Sequence, residues 1–201
     1  MSDAEGFVKL AHGAGGRAMR SLIESVFLAG VSDSEALAMG DGAAIAMGDR
    51  WLVLTTDAHV ISPTFFPGGD IGRLSVSGVV NDLAMMGARP VALSLAYVIE
   101  EGLPFEELRR ITESAARAAA ASGVPIVTGD TKVVGRGAAD GVFVNTAGIG
   151  VVPDGIVLGA DRAEPGDAVI LSGPIGLHGV AIMSVREGLD FEVEIESDTQ
   201  G

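Results

Sequence analysis

The chain has 201 residues, no cysteine and a formal net charge of −14. A surface this acidic repels phosphodiester backbones and anionic lipids, which argues against nucleic-acid or membrane-surface binding. Without cysteine there is neither a disulfide framework nor a thiolate zinc site. Hydrophobic residues make up 48% of the chain, which is enough for a sizeable core. The sequence shows no signal peptide and no apolar run of membrane-spanning length, so we expect a cytoplasmic protein.

Helix and strand patterns follow one another along most of the chain. A Gly-rich loop at 12–17 precedes a helix whose apolar residues run from Met19 to Phe27, and Gly30 is well placed to end it. The next predicted elements are strands at 42–48 and 51–57, a helix at 70–87, a strand at 91–99, a helix at 104–122, and strands at 124–128 and 142–152. Glycines in the last strand invite bulges. Because strands occur as consecutive pairs, the order favours an α+β fold with a mixed, largely antiparallel sheet over an alternating Rossmann pattern.

Residues 153–168 are rich in proline, glycine and charge, which predicts a domain boundary. Beyond it we expect a strand at 168–172 and a helix near 176–188. Two such elements cannot bury a core of their own. We therefore predict an amino-terminal domain at 1–153, followed at 154–201 by a linker and the incomplete start of a second α/β domain.

Four aspartates lie in apolar or glycine-rich surroundings: Asp41, Asp57, Asp82 and Asp130. Asp41 precedes a predicted strand, Asp57 and Asp130 lie at predicted strand ends, and Asp82 lies within a helix. Ionised carboxylates in such places are costly unless cations or N–H groups compensate them. If the four converge, they form a site suited to Mg²⁺ and the phosphates of a nucleotide. Taken alone, each one is more often an ordinary cap or turn aspartate.

Lys132 follows Asp130 by two residues, so both side chains lie on one face of an extended segment. A metal-binding carboxylate beside an ammonium group suits ATP, although an ordinary surface ion pair has the same spacing. The loop at 12–17 has backbone N–H groups that could cradle an anion, but it matches neither the P-loop nor the dinucleotide fingerprint.

Two phenylalanines and two histidines favour structural roles. Phe65 and Phe66, in the segment Phe65–Gly69, are expected to be buried at an interface rather than to stack on a base. His59 and His178 each lack a second ligand at metal-binding spacing, which favours structural roles for both.

Seven motifs follow one another along residues 9–198: LAHGAGGRAM, TTDAHVISPTFFPGGDIGRL, GVVNDLAMMGARP, VIEEGLP, IVTGDTKVV, NTAGIG and SGPIGLHG. Together they resemble the HypE family of hydrogenase-maturation proteins. This family belongs to the PurM-like superfamily, which also includes aminoimidazole ribonucleotide synthetase and thiamine monophosphate kinase. GDTKVV together with FFPGG is fairly specific to HypE, whereas the aspartates mark only the superfamily.

The resemblance implies a PurM-like amino-terminal domain that forms a homodimer through its sheet and binds ATP with Mg²⁺ near the dimer interface. It implies that Lys132 is catalytic or contacts phosphate. The metal ligands that it implies are Asp41, Asp57, Asp82 and Asp130. The residues that it places at the nucleotide or its phosphates are Asn81, Asp82, Gly129, Asp130 and Thr131.

The reaction implied by the resemblance is the ATP-dependent dehydration of a carbamoylated carboxy-terminal cysteine. It converts a thiocarboxamide to a thiocyanate, the source of cyanide ligands for nickel–iron hydrogenase. The implied partners are the carbamoyltransferase HypF and the HypC–HypD scaffold. Because the carrier cysteine is absent from this sequence, we expect the chain to be the nucleotide-binding part and to be inactive alone. The alternatives are another PurM-like ATP-dependent enzyme, such as a thiamine monophosphate kinase, and a non-catalytic dimerisation or docking module.

Overall fold

The computed structural model describes residues 7–30, 40–156, 158–159, 162–171, 173–189, 193 and 195–201. The chain divides into two compact units, Met1–Met39 and Gly40–Gly201, which are described separately. The described part of the first unit contains a 3-10 helix at Leu10–Gly13 and the short helix α1 at Arg17–Leu22. A π-helical turn and a 3-10 turn continue the helical path to Gly30, where the sequence predicts its end.

The second unit contains a five-stranded sheet, a two-stranded sheet and three helices in its described residues. Helix α2 begins directly after Asp70, whose carboxylate accepts hydrogen bonds from the backbone N–H groups of Gly72 and Arg73 at 2.8 and 3.0 Å. Gly87, which has a φ of +71°, follows the end of this helix, as predicted. The bounds of the elements are β1 Ala43–Met47, β2 Arg50–His59, β3 Phe65–Phe66, β4 Gly69–Asp70, α2 Ile71–Met85, β5 Arg89–Glu100, α3 Phe105–Ala121, β6 Ile126–Val134, β7 Val142–Val152 and α4 Leu177–Glu187.

The main sheet has five strands in the order β1-β2-β7-β5-β6. The neighbouring strands are antiparallel, except that β5 and β6 are parallel. A parallel pair needs a crossover connection, and α3 supplies it here. The predicted α+β fold with a mixed, largely antiparallel sheet packed by helices is therefore confirmed.

Helices α2 and α3 cover one face of the sheet, called here the helix face. The side chains of Leu93 and Leu95 on β5 and Val144 on β7 are buried there, in one cluster with Val79 of α2 and Ile111 of α3. The opposite face is called the open face. It carries exposed apolar side chains, among them Ile45 and Leu54 with 47% and 43% of their surface accessible. Strand alternation explains this division, because successive side chains point to opposite faces.

Gly148 allows α2 to approach the middle of the sheet. A Cβ at this position would lie 2.5 Å from Val79 Cγ1 and 3.0 Å from Leu83 Cδ1. The irregularity that the glycines of β7 were expected to cause lies in β5 instead, between Pro90 and Ala92. The bulge expected in β7 is therefore wrong, and Gly148 is needed for close helix packing.

Two predicted strands differ from the structure. Strand β6 extends to Val134, so the segment Gly129–Lys132 lies within the strand and not after it, and Asp130 is not at a strand end. Residues 168–171 form no strand, while residue 172 lies outside the described residues. The helix expected near 176–188 is present as α4, and the boundary at 153/154 stays a prediction. Within the described ranges, no helix is long and apolar enough to cross a membrane.

Candidate functional site

Strand β2 presents three polar side chains to the helix face. Thr55, Asp57 and His59 occupy alternate positions of the strand, in line with the buried Val53. Thr55 and His59 are buried, with 4% and 7% of their surface accessible, whereas about half of the Asp57 side chain remains accessible. The strand therefore carries a row of polar groups beneath α2.

Thr55 links two of the predicted aspartates. Its hydroxyl oxygen lies 2.7 Å from the carbonyl oxygen of Asp41 and 3.0 Å from Oδ2 of Asp82 on α2. A threonine hydroxyl has one proton, so it donates to only one of these oxygens at a time. The contact ties the segment before β1, the middle of β2 and the fourth turn of α2 into one polar cluster.

The carboxylates of this cluster raise each other's electrostatic energy. Burial raises the pKa of Asp82 above its ordinary value, the hydrogen bond with Thr55 opposes this shift, and the nearby charges of Asp57 and Asp41 raise the pKa further. A bound cation would remove this repulsion, because an opposite charge favours the ionised carboxylate. Asp41, Asp57 and Asp82 therefore form an electrostatic site that favours positive charge.

His59 is paired with Asp57. Its Nε2 lies 3.2 Å from Oδ2 of Asp57, and this hydrogen bond lowers the pKa of the Asp57 carboxyl despite partial burial. Gly78 of α2 packs directly over the pair, since a Cβ there would lie 3.2 Å from His59 Nε2 and 3.5 Å from Asp57 Oδ2. The sequence reasoning treated His59 as an isolated structural residue. The spacing Thr55-x-Asp57-x-His59 was the signal that could have joined the three.

Asp130 and Lys132 lie on the open face. On β6, Gly129 and Thr131 are in register with Leu95 and Tyr97 of β5, whose side chains pack against the helices. Asp130 and Lys132 alternate with them and so point away from α3. Strands β2 and β6 are three strand spacings apart, roughly 14 Å. One chain therefore does not bring Asp130 to the other three aspartates, so the four do not converge within a single chain.

The remaining predicted residues have separate surroundings. Asn81 of α2 donates a hydrogen bond from Nδ2 to the carbonyl oxygen of Gln200, at 3.0 Å. At Gly129 the backbones of β5 and β6 approach closely, since a Cβ there would collide with the carbonyl oxygen of Leu95. Thr131 lies on the helix face, in register with Tyr97. The loop at 12–17 belongs to the first unit.

The fit of Mg²⁺ depends on how many protein ligands it needs. Across the described ranges, no group of three or more histidine, cysteine, aspartate or glutamate side chains is arranged to hold a metal ion. Nucleotide-bound Mg²⁺ is usually held by only one or two carboxylates, with waters and phosphates completing its shell. The oxygen donors around Asp82 therefore fit a metal that arrives with a nucleotide better than a metal held by the protein alone.

A cleft of about 700 Å³ lies elsewhere in the second unit, between β4, α3 and the segment 196–200. Arg73 and Arg117 line it, but none of the four predicted aspartates does. We place the candidate site at the carboxylates and not at the cleft, because charge repulsion and hydrogen bonding point to a ligand there, whereas volume alone does not.

Comparison with known proteins gives the family. Residues 39–152 match the model of the AIR synthase related protein, N-terminal domain. The chain belongs to this family. The match covers α2, the whole five-stranded sheet and the predicted aspartates, lysine and asparagine.

Within the family, the resemblance to HypE is confirmed. The chain is 54% identical over 196 residues to the carbamoyl dehydratase HypE of Rhizobium leguminosarum bv. viciae, covering 98% of this chain and 56% of that protein. A crystal structure of a HypE–HypF complex matches with a TM-score of 0.82 and 49% identity, covering 88% of this chain and 57% of that one. HypE in complex with ATP matches with a TM-score of 0.73 and 45% identity, covering 97% and 58%. The chain thus spans a little more than half the length of these relatives.

Proposed function

We propose that this chain is the nucleotide-binding part of a HypE-type carbamoyl dehydratase. The observation that carries the proposal is the cluster of Asp41, Asp57 and Asp82. The Thr55 hydroxyl joins Asp41 to Asp82. Burial, and then the charges of Asp57 and Asp41, raise the pKa of Asp82. Such a cluster favours a cation, and in a protein of net charge −14 a cation is what allows an anionic nucleotide to bind. Similarity to a HypE that was crystallised with ATP supports the same nucleotide here.

The proposed reaction is the ATP-dependent dehydration of a thiocarboxamide to a thiocyanate. An amide oxygen is a poor leaving group, but transfer of the γ-phosphoryl group of ATP to it lets the oxygen leave as inorganic phosphate. The nitrogen gives up its two protons as the C≡N bond forms, so the products are the thiocyanate, ADP and phosphate. Mg²⁺, when bound, offsets charge on the phosphates. His59 holds the carboxylate of Asp57, Thr55 holds that of Asp82, and Asn81 lies one residue from Asp82 on α2. Lys132 supplies a positive charge to a phosphate or to the activated oxygen.

Lys132 and Asp130 reach the nucleotide in this proposal only through a homodimer. Both lie on the open face, about three strands away from Asp57 in the same chain. The exposed apolar side chains of that face favour its burial against a second sheet. We propose that two chains pair through their open faces and bind nucleotide near the interface. Sedimentation equilibrium tests this pairing, and a monomer at all concentrations would contradict it.

The partners proposed for the whole protein are HypF, consistent with the solved HypE–HypF complex, and the HypC–HypD scaffold. This sequence contains no cysteine and spans a little more than half the length of its HypE relatives, so dehydration by this chain alone is not expected. The property that can be tested on this chain is nucleotide binding.

Isothermal calorimetry with ATP and Mg²⁺ tests the proposal. We expect the chain to bind Mg–ATP and Asp82→Ala to weaken binding without unfolding the protein. Asp49→Ala is the matched control, because Asp49 is an exposed aspartate in the turn between β1 and β2. If a full-length HypE binds under the same conditions and this chain does not, the alternative of a dimerisation or docking module gains support.

A further inference from the structure

The segment Glu196–Gly201, called here the strap, lies in an extended conformation against the second unit. Its side chains alternate between buried and exposed, with Ser197 and Thr199 only 9% and 6% accessible. Its described residues belong to no helix or strand, so the strap is held by individual contacts and not by a sheet ladder.

Gly68 and Gly69 form the place where the strap docks. The backbone N–H of Ser197 donates to the carbonyl oxygen of Pro67 at 2.8 Å. A Cβ on Gly68 would lie 2.5 Å from the carbonyl oxygen of Ser197, and one on Gly69 would lie 3.2 Å from Thr199 Cβ. Gly68 also has a φ of +85°, which favours glycine. The glycine pair of the FFPGG motif thus allows two backbones to touch.

His178 and Phe66 complete the contact. Nδ1 of His178 lies 3.0 Å from the hydroxyl oxygen of Ser197. This hydroxyl oxygen lies 2.6 Å from the hydroxyl oxygen of Thr199, and it accepts a hydrogen bond from the backbone N–H of Thr199 at 3.2 Å. The buried Phe66 ring packs edge-on against His178, with 5.4 Å between centroids. The buried hydroxyl groups of Ser197 and Thr199 therefore find hydrogen-bond partners when the strap is docked.

The far end of the strap reaches α2. The carbonyl oxygen of Gln200 accepts a hydrogen bond from Nδ2 of Asn81, the residue before Asp82. A docked strap therefore holds the Asn81 amide in one orientation beside the candidate nucleotide site. A free strap would leave this side chain to rotate.

We propose that the strap and the FFPGG motif form a docking pair that positions Asn81. Pro67, Gly68 and Gly69 hold one end of the strap, His178 fixes its serine, and its other end orients the asparagine amide. Docking itself is independent of the proposed function, whereas its effect on nucleotide affinity rests on that function.

Hydrogen exchange and calorimetry on Gly68→Ala test the two parts separately. A methyl group at Gly68 would displace the strap, so the amides of Ser197 and Thr199 should exchange at least about tenfold faster. Gly48→Ala is the matched control, because Gly48 also has a positive φ of +66° but has nothing within 4 Å of the added methyl. Unchanged exchange in Gly68→Ala would overturn docking.

If the strap acts by positioning Asn81, then disrupting the strap and removing the Asn81 amide should cost the same part of the Mg–ATP affinity. Gly68→Ala and Asn81→Ala should each weaken Mg–ATP binding about fivefold, and the double variant should lose no more than either single change. Additive losses, or tighter binding by Gly68→Ala, would overturn positioning. If the parent chain fails to bind Mg–ATP, the proposed function fails, while hydrogen exchange still decides docking. Ser197→Ala, which removes the hydroxyl contacts without backbone strain, replaces Gly68→Ala if that variant does not fold.

Discussion

The two faces of the five-stranded sheet use the same alternation of side chains for different purposes. The helix face combines a packed apolar core with the polar row of Thr55, Asp57 and His59, and α2 supplies Asp82 from above. The open face carries Asp130 and Lys132 among exposed apolar side chains. The first cluster is organised within one chain, because a helix covers it. Asp130 and Lys132 on the open face need a second protein surface opposite them before they can enclose a ligand, which is why we link them to dimerisation.

The largest effect is expected for Gly148→Ala, which tests the close approach of α2 to the sheet. The added methyl would meet Val79 and Leu83, and overpacking of this kind costs about 1–3 kcal/mol. The free energy of unfolding from urea titration should fall by that amount. Gly135→Ala is the control, since an added methyl there meets nothing within 4 Å. Equal stability of the two variants would show that α2 packs less tightly than described.

Asp82→Asn separates function from stability on the helix face. It should weaken Mg–ATP binding by about tenfold or more, because one carboxylate is lost. The raised pKa of Asp82 means that its ionised form destabilises the fold, so stability from this group is present at low pH and is lost as pH rises through that pKa.

The thermal midpoint of Asp82→Asn should therefore exceed that of the parent at pH 7, and the gap should narrow as the pH is lowered. A lower midpoint at pH 7 would contradict the raised pKa of Asp82, to which burial and the charges of Asp57 and Asp41 contribute.

Gly78→Ala tests how closely α2 packs on Asp57 and His59. Alanine in a helix interior gains up to about 1 kcal/mol over glycine. Gly179→Ala in α4 should show this gain in chemical denaturation, because nothing lies near its added methyl. Gly78→Ala should gain less, since its methyl would press on His59 Nε2 at 3.2 Å. Equal gains in the two variants would mean that Asp57 and His59 move aside for the added methyl at no cost in stability.

Lys132→Ala should have the smallest effect on folding. The side chain is exposed on an edge strand, so the free energy of unfolding should change by no more than about 0.5 kcal/mol. Calorimetry should nevertheless show weaker Mg–ATP binding if a second chain brings Lys132 to the phosphates. Unaltered affinity in a dimeric sample would remove Lys132 from the proposed site.

The sequence alone was sufficient for the order and type of most elements. Apolar runs predict β1 and β2, helical spacing predicts α2, and Gly87 lies just past the end of α2 as predicted. These features depend on near neighbours in the chain, so local pattern is enough to predict them. The resemblance to HypE likewise followed from local motifs, and the comparisons confirm it.

Only the tertiary structure decided which of the predicted residues meet. Asp57 and Asp130 were both candidate ligands of one site, but the sheet order puts three strand spacings between their strands and the alternation puts them on opposite faces. His59 pairs with Asp57, and the FFPGG motif contacts the strap, which lies about 130 residues further along the chain. Such contacts depend on strand order, register and the packing of distant segments. One sequence does not reveal these, because many pairings are compatible with the same local pattern.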